Sequence, residues 1–252
     1  MLPVPRRLRH PSALVAALLA LVACSGNSST KAASPGGTSA QPAAITTPVS
    51  ATAPSTAAPA QAPFDTALLS RADSGRILGN VQAKVWVVIL SDFQCPYCKA
   101  WHDQVDATLR RDYVQTGKVR VAFLNFIIPQ HKNAPMAAEA AMCAAAQRKF
   151  WSYHDALFAS QDKWATLPSP AAFFDTLAGQ VGLDRAVHRE CVALHKLRPL
   201  IDADGNRGSR AGVNSTPSFF IGDTALVGVM PPKEFAQVID SMLARAGRRP
   251  SK

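Results

Sequence analysis

Cys95 and Cys98, two residues apart in Cys95-Pro96-Tyr97-Cys98, are the side chains whose types and spacing point most directly to chemistry. As half of a zinc site, such a pair needs two further ligands, from a second Cys-x-x-Cys or a histidine pair at short spacing. As a redox centre it needs a strand before it, a helix after it and an exchange partner. There is no second Cys-x-x-Cys in the chain, and the flanks fit the redox case. Cys95 is then expected at a helix N-terminus, where unpaired N–H groups and the helix dipole stabilise a thiolate. That makes Cys95 the nucleophile and Cys98, one turn inside the helix, the shielded resolving thiol. Pro96 suits the first helical turn because it has no N–H to leave unpaired. Tyr97 adds bulk and a hydroxyl but no positive charge, which argues for an intermediate redox potential.

The elements that must position this pair can be read outward from it. Lys84 to Leu90 is a continuous apolar run rich in β-branched residues, as in a strand buried on both faces. After the cysteines come about 15 residues without Pro or Gly, with Trp101, Val105 and Leu109 on one apolar helical face. Val119, Val121 and Phe123 then alternate with Arg120, Ala122 and Leu124, which predicts a second strand over 118–125. Residues 133–212 read as helical, punctuated by Pro168, Pro170, Gly182 and Gly212. The group Phe150, Trp151, Tyr153 and Phe158 in this stretch reads as core packing rather than a peptide groove. Two short strands follow, Ser218 to Ile221 and Ala225 to Val229, around the turn signal Gly222-Asp223. Pro231 and Pro232 open a final helix whose buried face carries Phe235, Val238, Ile239, Met242 and Leu243. The expected fold is α/β, with a helical block inserted at about 133–212 between two halves of a sheet.

These residues carry a family resemblance. Ser91-Asp92-Phe93-Gln94-Cys95-Pro96-Tyr97-Cys98 resembles the DsbA-like branch of the thioredoxin superfamily. The likeness extends through Ala137-Ala138-Glu139-Ala140-Ala141, Phe150-Trp151-Ser152-Tyr153-His154-Asp155 and Gly212-Val213-Asn214-Ser215-Thr216-Pro217, covering residues from about 76 to 245. It implies a thioredoxin fold with an inserted all-helical subdomain and thiol–disulfide exchange on other proteins, with no cofactor. It also implies a cis bond before Pro217, lying against the reactive cysteines, and pairing of the Thr216 backbone with extended substrate. One departure stands out. Family members often carry a buried acid six residues before the first cysteine, able to shuttle the resolving thiol's proton, and here that position is Ile89. Losing that charge favours the thiolate electrostatically, but it also removes a proton acceptor, so deprotonation of Cys98 is expected to be slow. Asp92 is nearer in sequence and can be read either as a loop carboxylate or as functional.

Cys143 and Cys191 lie on separate predicted helices of the insert. In an exported protein, two remaining cysteines most simply form a structural disulfide, with two buried thiols as the other reading. His188, Cys191 and His195 fall at i, i+3 and i+7, and with Cys143 they would make four ligands. Arbitrary helices often show such spacing, so no metal is expected. His102, seven residues after Cys95, reads as a packing or helix-surface residue before a tuning one.

Ahead of the domain, Arg6, Arg7 and Arg9 precede the uncharged apolar run Ala13 to Ala23, too short for a comfortable permanent span. The run ends in Leu21-Val22-Ala23-Cys24, which resembles the lipobox of bacterial lipoproteins. Residues 1–23 are therefore expected to be a signal peptide and Cys24 the lipidated residue. Residues 25–63 contain no aromatic and a single charge, Lys31, which predicts a disordered tether with a reach of about 35 Å. The folded domain is expected over 64–252. The formal net charge of +10 partly reflects the four bases and no acids in residues 1–63, leaving 23 basic and 17 acidic residues beyond. Four of those bases cluster at Arg245, Arg248, Arg249 and Lys252, so the balance describes a solvated surface with basic ends and no nucleic-acid partner. The expected setting is extracytoplasmic and lipid-anchored, as a monomer, because 25–63 holds no dimerisation module. Expected partners are exported proteins with cysteines and a membrane redox partner, either a quinone-linked oxidase or a transmembrane electron donor. The direction of electron flow stays open between oxidase and isomerase or reductase. A non-catalytic chaperone binding extended chains beside Pro217 is a third reading, disfavoured by the intact cysteine pair.

Overall fold

The structure, a computed structural model, describes residues 65–248. The expected signal peptide, the lipidated Cys24 and the tether to residue 63 lie outside the described residues. Helix α1 (Thr66–Gly75) starts where the Asp65 carboxylate accepts the Leu68 N–H at 2.9 Å. Strand β1 (Ile77–Gly79) pairs antiparallel with β3 (Val119–Asn125), and β2 (Val85–Ser91) runs parallel to β3. Neither α1 nor β1 was among the elements read from the sequence. A three-residue strand is too short to show alternation, and α1 has only Ala72 buried.

Helix α2 begins at Pro96 and runs as an α-helix over Pro96–Trp101, as wider π turns over His102–Asp106, again as an α-helix over Ala107–Leu109, and as π turns over Arg110–Val114. The apolar spacing gives a physical reason. Trp101, Val105 and Leu109 are four apart, and on 3.6 residues per turn each step drifts by about 40°. Wider turns reduce that drift and keep all three side chains buried against the sheet.

Beyond β3 come α3 (Ala134–Ala146), α4 (Phe150–Ala159), α5 (Gln161–Trp164), α6 (Ala171–Gln180), α7 (Arg185–Ala193) and α8 (Arg198–Arg210). The chain returns to the sheet in β4 (Ser218–Ile221) and β5 (Thr224–Val227), turning at Gly222 with φ +59°, and ends in α9 (Pro232–Arg248). The sheet order is β1-β3-β2-β4-β5, with β4 antiparallel to both β2 and β5. This is a thioredoxin fold with an all-helical insertion between β3 and β4.

Two apolar cores follow from the strand pleat. Val85, Val87 and Ile89 of β2 and Val119 and Val121 of β3 pack with Trp101, Val105 and Leu109, and with Phe235 and Ile239 of α9. Trp101 lies 4.9 Å from Phe219 and 5.7 Å from Phe235 between ring centroids, in tilted and edge-on geometry. The other core belongs to the insert, where the Ala-rich α3 lets α1 and α4 approach closely. Gly75 shows how close: a Cβ there would stand 2.5 Å from the Ala145 carbonyl oxygen. Gly75→Ala is expected to cost about 1–3 kcal/mol in chemical denaturation; an unchanged midpoint would contradict this packing. A buried ion pair between Arg76 and Asp204 ties the end of α1 to α8, and the Asn125 N–H donates to the same Asp204 oxygen at 3.1 Å. No helix among the described residues is long and apolar enough to cross a membrane.

Candidate active site

Cys95 ends the loop from β2 and stands as the residue before the first turn of α2, with extended backbone angles of φ −70° and ψ 123°. The loop reaches that point under several restraints. Phe93 is buried between the sheet and the helical insert, 5.0 Å from Phe123 of β3 and 5.2 Å from Phe158 of α4 between ring centroids. The Cys95 N–H donates to the Asp92 carbonyl at 3.1 Å, closing a turn. From the insert, the Gln161 amide donates to the carbonyls of Phe93 at 2.7 Å and Cys95 at 3.0 Å. Gln94 donates to the Ala165 carbonyl and accepts the Asn133 N–H, both at 2.7 Å. Thioredoxin half and helical insert together therefore hold the reactive loop.

Both cysteines are reduced and buried, Cys95 with 4% of its surface exposed and Cys98 with 1%. Their thiols are pushed in opposite directions. The hydrogen bond from Cys98 lowers Cys95 most, burial opposes it, and the backbone N–H groups of Cys98 and Tyr97 add to the lowering, taking Cys95 to about 6. Cys98 is raised well above the ordinary thiol value, first by burial and then by Cys95 beside it. One sulfur is thus poised to ionise near neutral pH while the other holds its proton. Tyr97 between them is 66% exposed.

The Thr216–Pro217 bond is cis, and the Cys95 thiol lies 3.5 Å from the Thr216 carbonyl oxygen, to which it donates. Thr216, Pro217, Cys95, Cys98, Pro96 and Tyr97 therefore meet at one end of β2 and β4, where α2 begins. Cys143 on α3 and Cys191 on α7 are joined by a disulfide with Cα atoms 5.9 Å apart, in the insert. The histidines near it do not share a face. His188 donates to the Ala140 carbonyl at 3.0 Å, whereas His195 lies beyond the end of α7 with φ +49° and sits 2.6 Å from Glu139. The four-ligand spacing in the sequence is broken there by the helix end and by the disulfide.

Sequence reasoning left the role of Asp92 open, read His102 first as a packing or helix-surface residue, and did not single out Gln161 or Asn133. Asp92 turned out to be a fully buried carboxylate whose main-chain N–H donates to the Cys98 sulfur at 3.5 Å. Gln161 and Asn133 carry no local pattern that would mark them, since their roles arise from contacts across more than 30 residues of chain. His102 joins a charge network with His154, Asp155, Asp106 and Arg110 that ties α2 to α4. A nitrogen from each of these two histidines and an Asp155 oxygen lie within 4.8 Å of one another. Arg110 already holds both Asp155 oxygens, at 2.7 and 2.9 Å, so the cluster is an ion-pair network.

Burial lowers the His102 pKa, but hydrogen bonds to Asp155 and Asp103 and the charge of Asp106 outweigh it, and the net shift is upward. The stabilisation is therefore fully present below the unfolded value of about 6.5 and is lost as pH rises through the raised folded value. His102→Gln is expected to destabilise the fold more at pH 5 than at pH 8 in matched denaturation curves. An equal loss at both would contradict the charged pairing.

Comparison with known proteins places this architecture. The family model described as Thioredoxin matches residues 71–241. A protein of Salinispora tropica named Na(+)/H(+) antiporter NhaA 3 is 32% identical over 179 residues, 71% of this chain and 26% of that protein. The putative protein-disulfide oxidoreductase RP025 of Rickettsia prowazekii is 27% identical over 150 residues, 59% of this chain and 54% of that one. The chain thus spans about a quarter and about half the length of these two relatives. The crystal structure of oxidised BdbD from Bacillus subtilis superposes with a TM-score of 0.63 at 21% identity, covering 68% of this chain and 94% of that one. The family match over 71–241 makes this chain a member of the thioredoxin family, and the helical insertion between β3 and β4 gives it the DsbA-like form of that fold.

Proposed function

We propose that the chain is a protein thiol–disulfide oxidoreductase acting on extracytoplasmic proteins, with Cys95 as the nucleophile and Cys98 as the resolving thiol. The observation that carries this reading is the placing of the cysteine pair at the head of α2, with Cys95 before its first turn and 3.5 Å from the Thr216 carbonyl and Cys98 buried behind it; the opposite shifts of the two thiols agree with it. In the oxidising direction, a substrate thiolate attacks Cys95 of the Cys95–Cys98 disulfide and displaces Cys98, which takes up a proton. A second substrate thiolate then attacks its partner sulfur in the mixed disulfide and releases Cys95 as a thiolate. Two electrons pass from the substrate dithiol to the cysteine pair, and the substrate gains the disulfide. A membrane oxidant linked to quinone would restore the pair. Thr216 and Pro217 would pair with the extended substrate, Tyr97 would form part of the docking surface, and Cys143–Cys191 would brace the insert. Lipid on Cys24 would tether the domain to the outer face of a membrane. The Rickettsia relative is named as a putative protein-disulfide oxidoreductase, which agrees with the chemistry.

A second reading keeps the chemistry and reverses it: an isomerase or reductase, maintained by a transmembrane electron donor. One observation favours keeping it. A Cys95 value of about 6 falls between the roughly 3.5 of a strongly oxidising centre and the roughly 7 of a reducing one. The reduction potential separates the two. A value near about −120 mV, with rapid oxidation of a reduced two-cysteine peptide, supports the oxidase; a value near about −270 mV contradicts it and supports the reductase.

A further inference from the structure

The Asp92 carboxylate is wholly buried beneath the reactive loop and takes no direct part in the exchange steps above. It accepts the Gln94 N–H at 2.7 Å, the Ile128 N–H at 2.9 Å and a bond from His131 Nδ1 at 2.8 Å. Its own backbone lies against Cys98, through the N–H that reaches that sulfur at 3.5 Å, and against Cys95, through the carbonyl that accepts the Cys95 N–H at 3.1 Å. His131 arrives from another part of the chain, the turn after β3 closed by its N–H on the Ile128 carbonyl at 2.9 Å, and its side chain is 22% exposed. A buried carboxylate at this place opposes a negative charge formed on the cysteine pair, and His131, when its ring carries a proton, offsets that opposition. We propose that Asp92 and His131 form a charge pair that sets the redox poise of Cys95 and Cys98, Asp92 holding the thiolate form back and His131 releasing it.

The proposal rests on the exchange reading of the same two cysteines. It concerns the equilibrium: protein disulfide plus two glutathione thiols gives protein dithiol plus glutathione disulfide, with two electrons and matched protons exchanged. Asp92 and His131 gain and lose no electrons; they are positioning residues that shift this equilibrium through charge. Their signs are opposite, which separates the idea from a merely structural contact. Asp92→Asn removes the opposing charge while keeping an acceptor for the loop N–H groups. His131→Gln keeps a donor for Asp92 but loses the compensating charge.

The test equilibrates each full-length variant with glutathione redox buffers at pH 7 and reads the reduced fraction. Asp92→Asn is expected to move the equilibrium roughly tenfold toward the dithiol, about 30 mV upward, and His131→Gln roughly tenfold toward the disulfide, about 30 mV downward. The double variant, with both charges gone, is expected close to the unaltered protein. Shifts in the same direction, or none, in variants that melt cooperatively would overturn the proposal. If Asp92→Asn does not fold, His131→Gln decides alone, a lowered potential supporting the pair and an unchanged one overturning it. Failure of the unaltered protein to exchange disulfides at all would instead strike the functional reading, so the two outcomes are distinguishable.

Discussion

Replacing Cys95 with alanine is expected to reduce disulfide exchange by at least roughly three orders of magnitude, the scale seen when a covalent nucleophile is removed. The reason lies in the asymmetry of the pair. At neutral pH, Cys95 alone carries substantial thiolate, because Cys98 and backbone N–H groups favour its charge over the opposing effect of burial. Cys98, 1% exposed and raised well above the ordinary thiol value, cannot substitute for it. Cys98→Ala has a different expected signature. Its Cys95 still attacks a substrate disulfide, but no second thiol resolves the product, so a mixed disulfide should accumulate on non-reducing gels. Equal adduct yields from both variants would remove the role assignment. A binding activity toward unfolded chains that survives Cys95→Ala at full strength would favour the chaperone reading.

The second large effect falls on stability rather than chemistry. Cys143 and Cys191 are 48 positions apart in sequence, and their link spans α3 and α7 in the insert. Opening a loop of that size is expected to cost about 4 kcal/mol through the entropy regained by the unfolded chain. The double variant Cys143→Ala, Cys191→Ala should therefore show a strongly lowered denaturation midpoint. Cys95 belongs to a loop that Gln161 and Gln94 bind to the insert, so loosening the insert should also slow exchange before the protein unfolds. A double variant with the stability of the parent would show that the bridge contributes nothing to the fold.

Much of this architecture was legible because the signals were local. The β-branched run before Cys95 and the alternation of Val119, Val121 and Phe123 are periodicities that strands impose directly. The Ala-rich and aromatic-rich stretches of 134–159 are likewise helix and core signals in themselves. The motif around Cys95 and the Thr216-Pro217 pair are local signals too, and the fold brings them together. What stayed illegible depends on contacts between distant segments. The partner of Asp92 is a histidine 39 positions later, and no local pattern marks such a pairing. Gln161 reaches the reactive loop across 66 positions. Strand β1 is three residues long and exists because β3 offers an edge to pair with. The π turns of α2 were hidden in a spacing of four that an ordinary helix also tolerates.

The central claim is that Cys95 is an activated thiol and Cys98 is not. The measurement that tests it most directly is the thiolate absorbance of the reduced protein as a function of pH, repeated on Cys98→Ala to assign the residue. Because the Cys98 hydrogen bond contributes most to lowering Cys95, the variant should titrate somewhat higher than the parent. In the parent, a single thiol titrating with a midpoint of about 6 is expected, with the second remaining protonated well past the ordinary value of 9.0. Two thiols titrating together near that ordinary value would contradict the account.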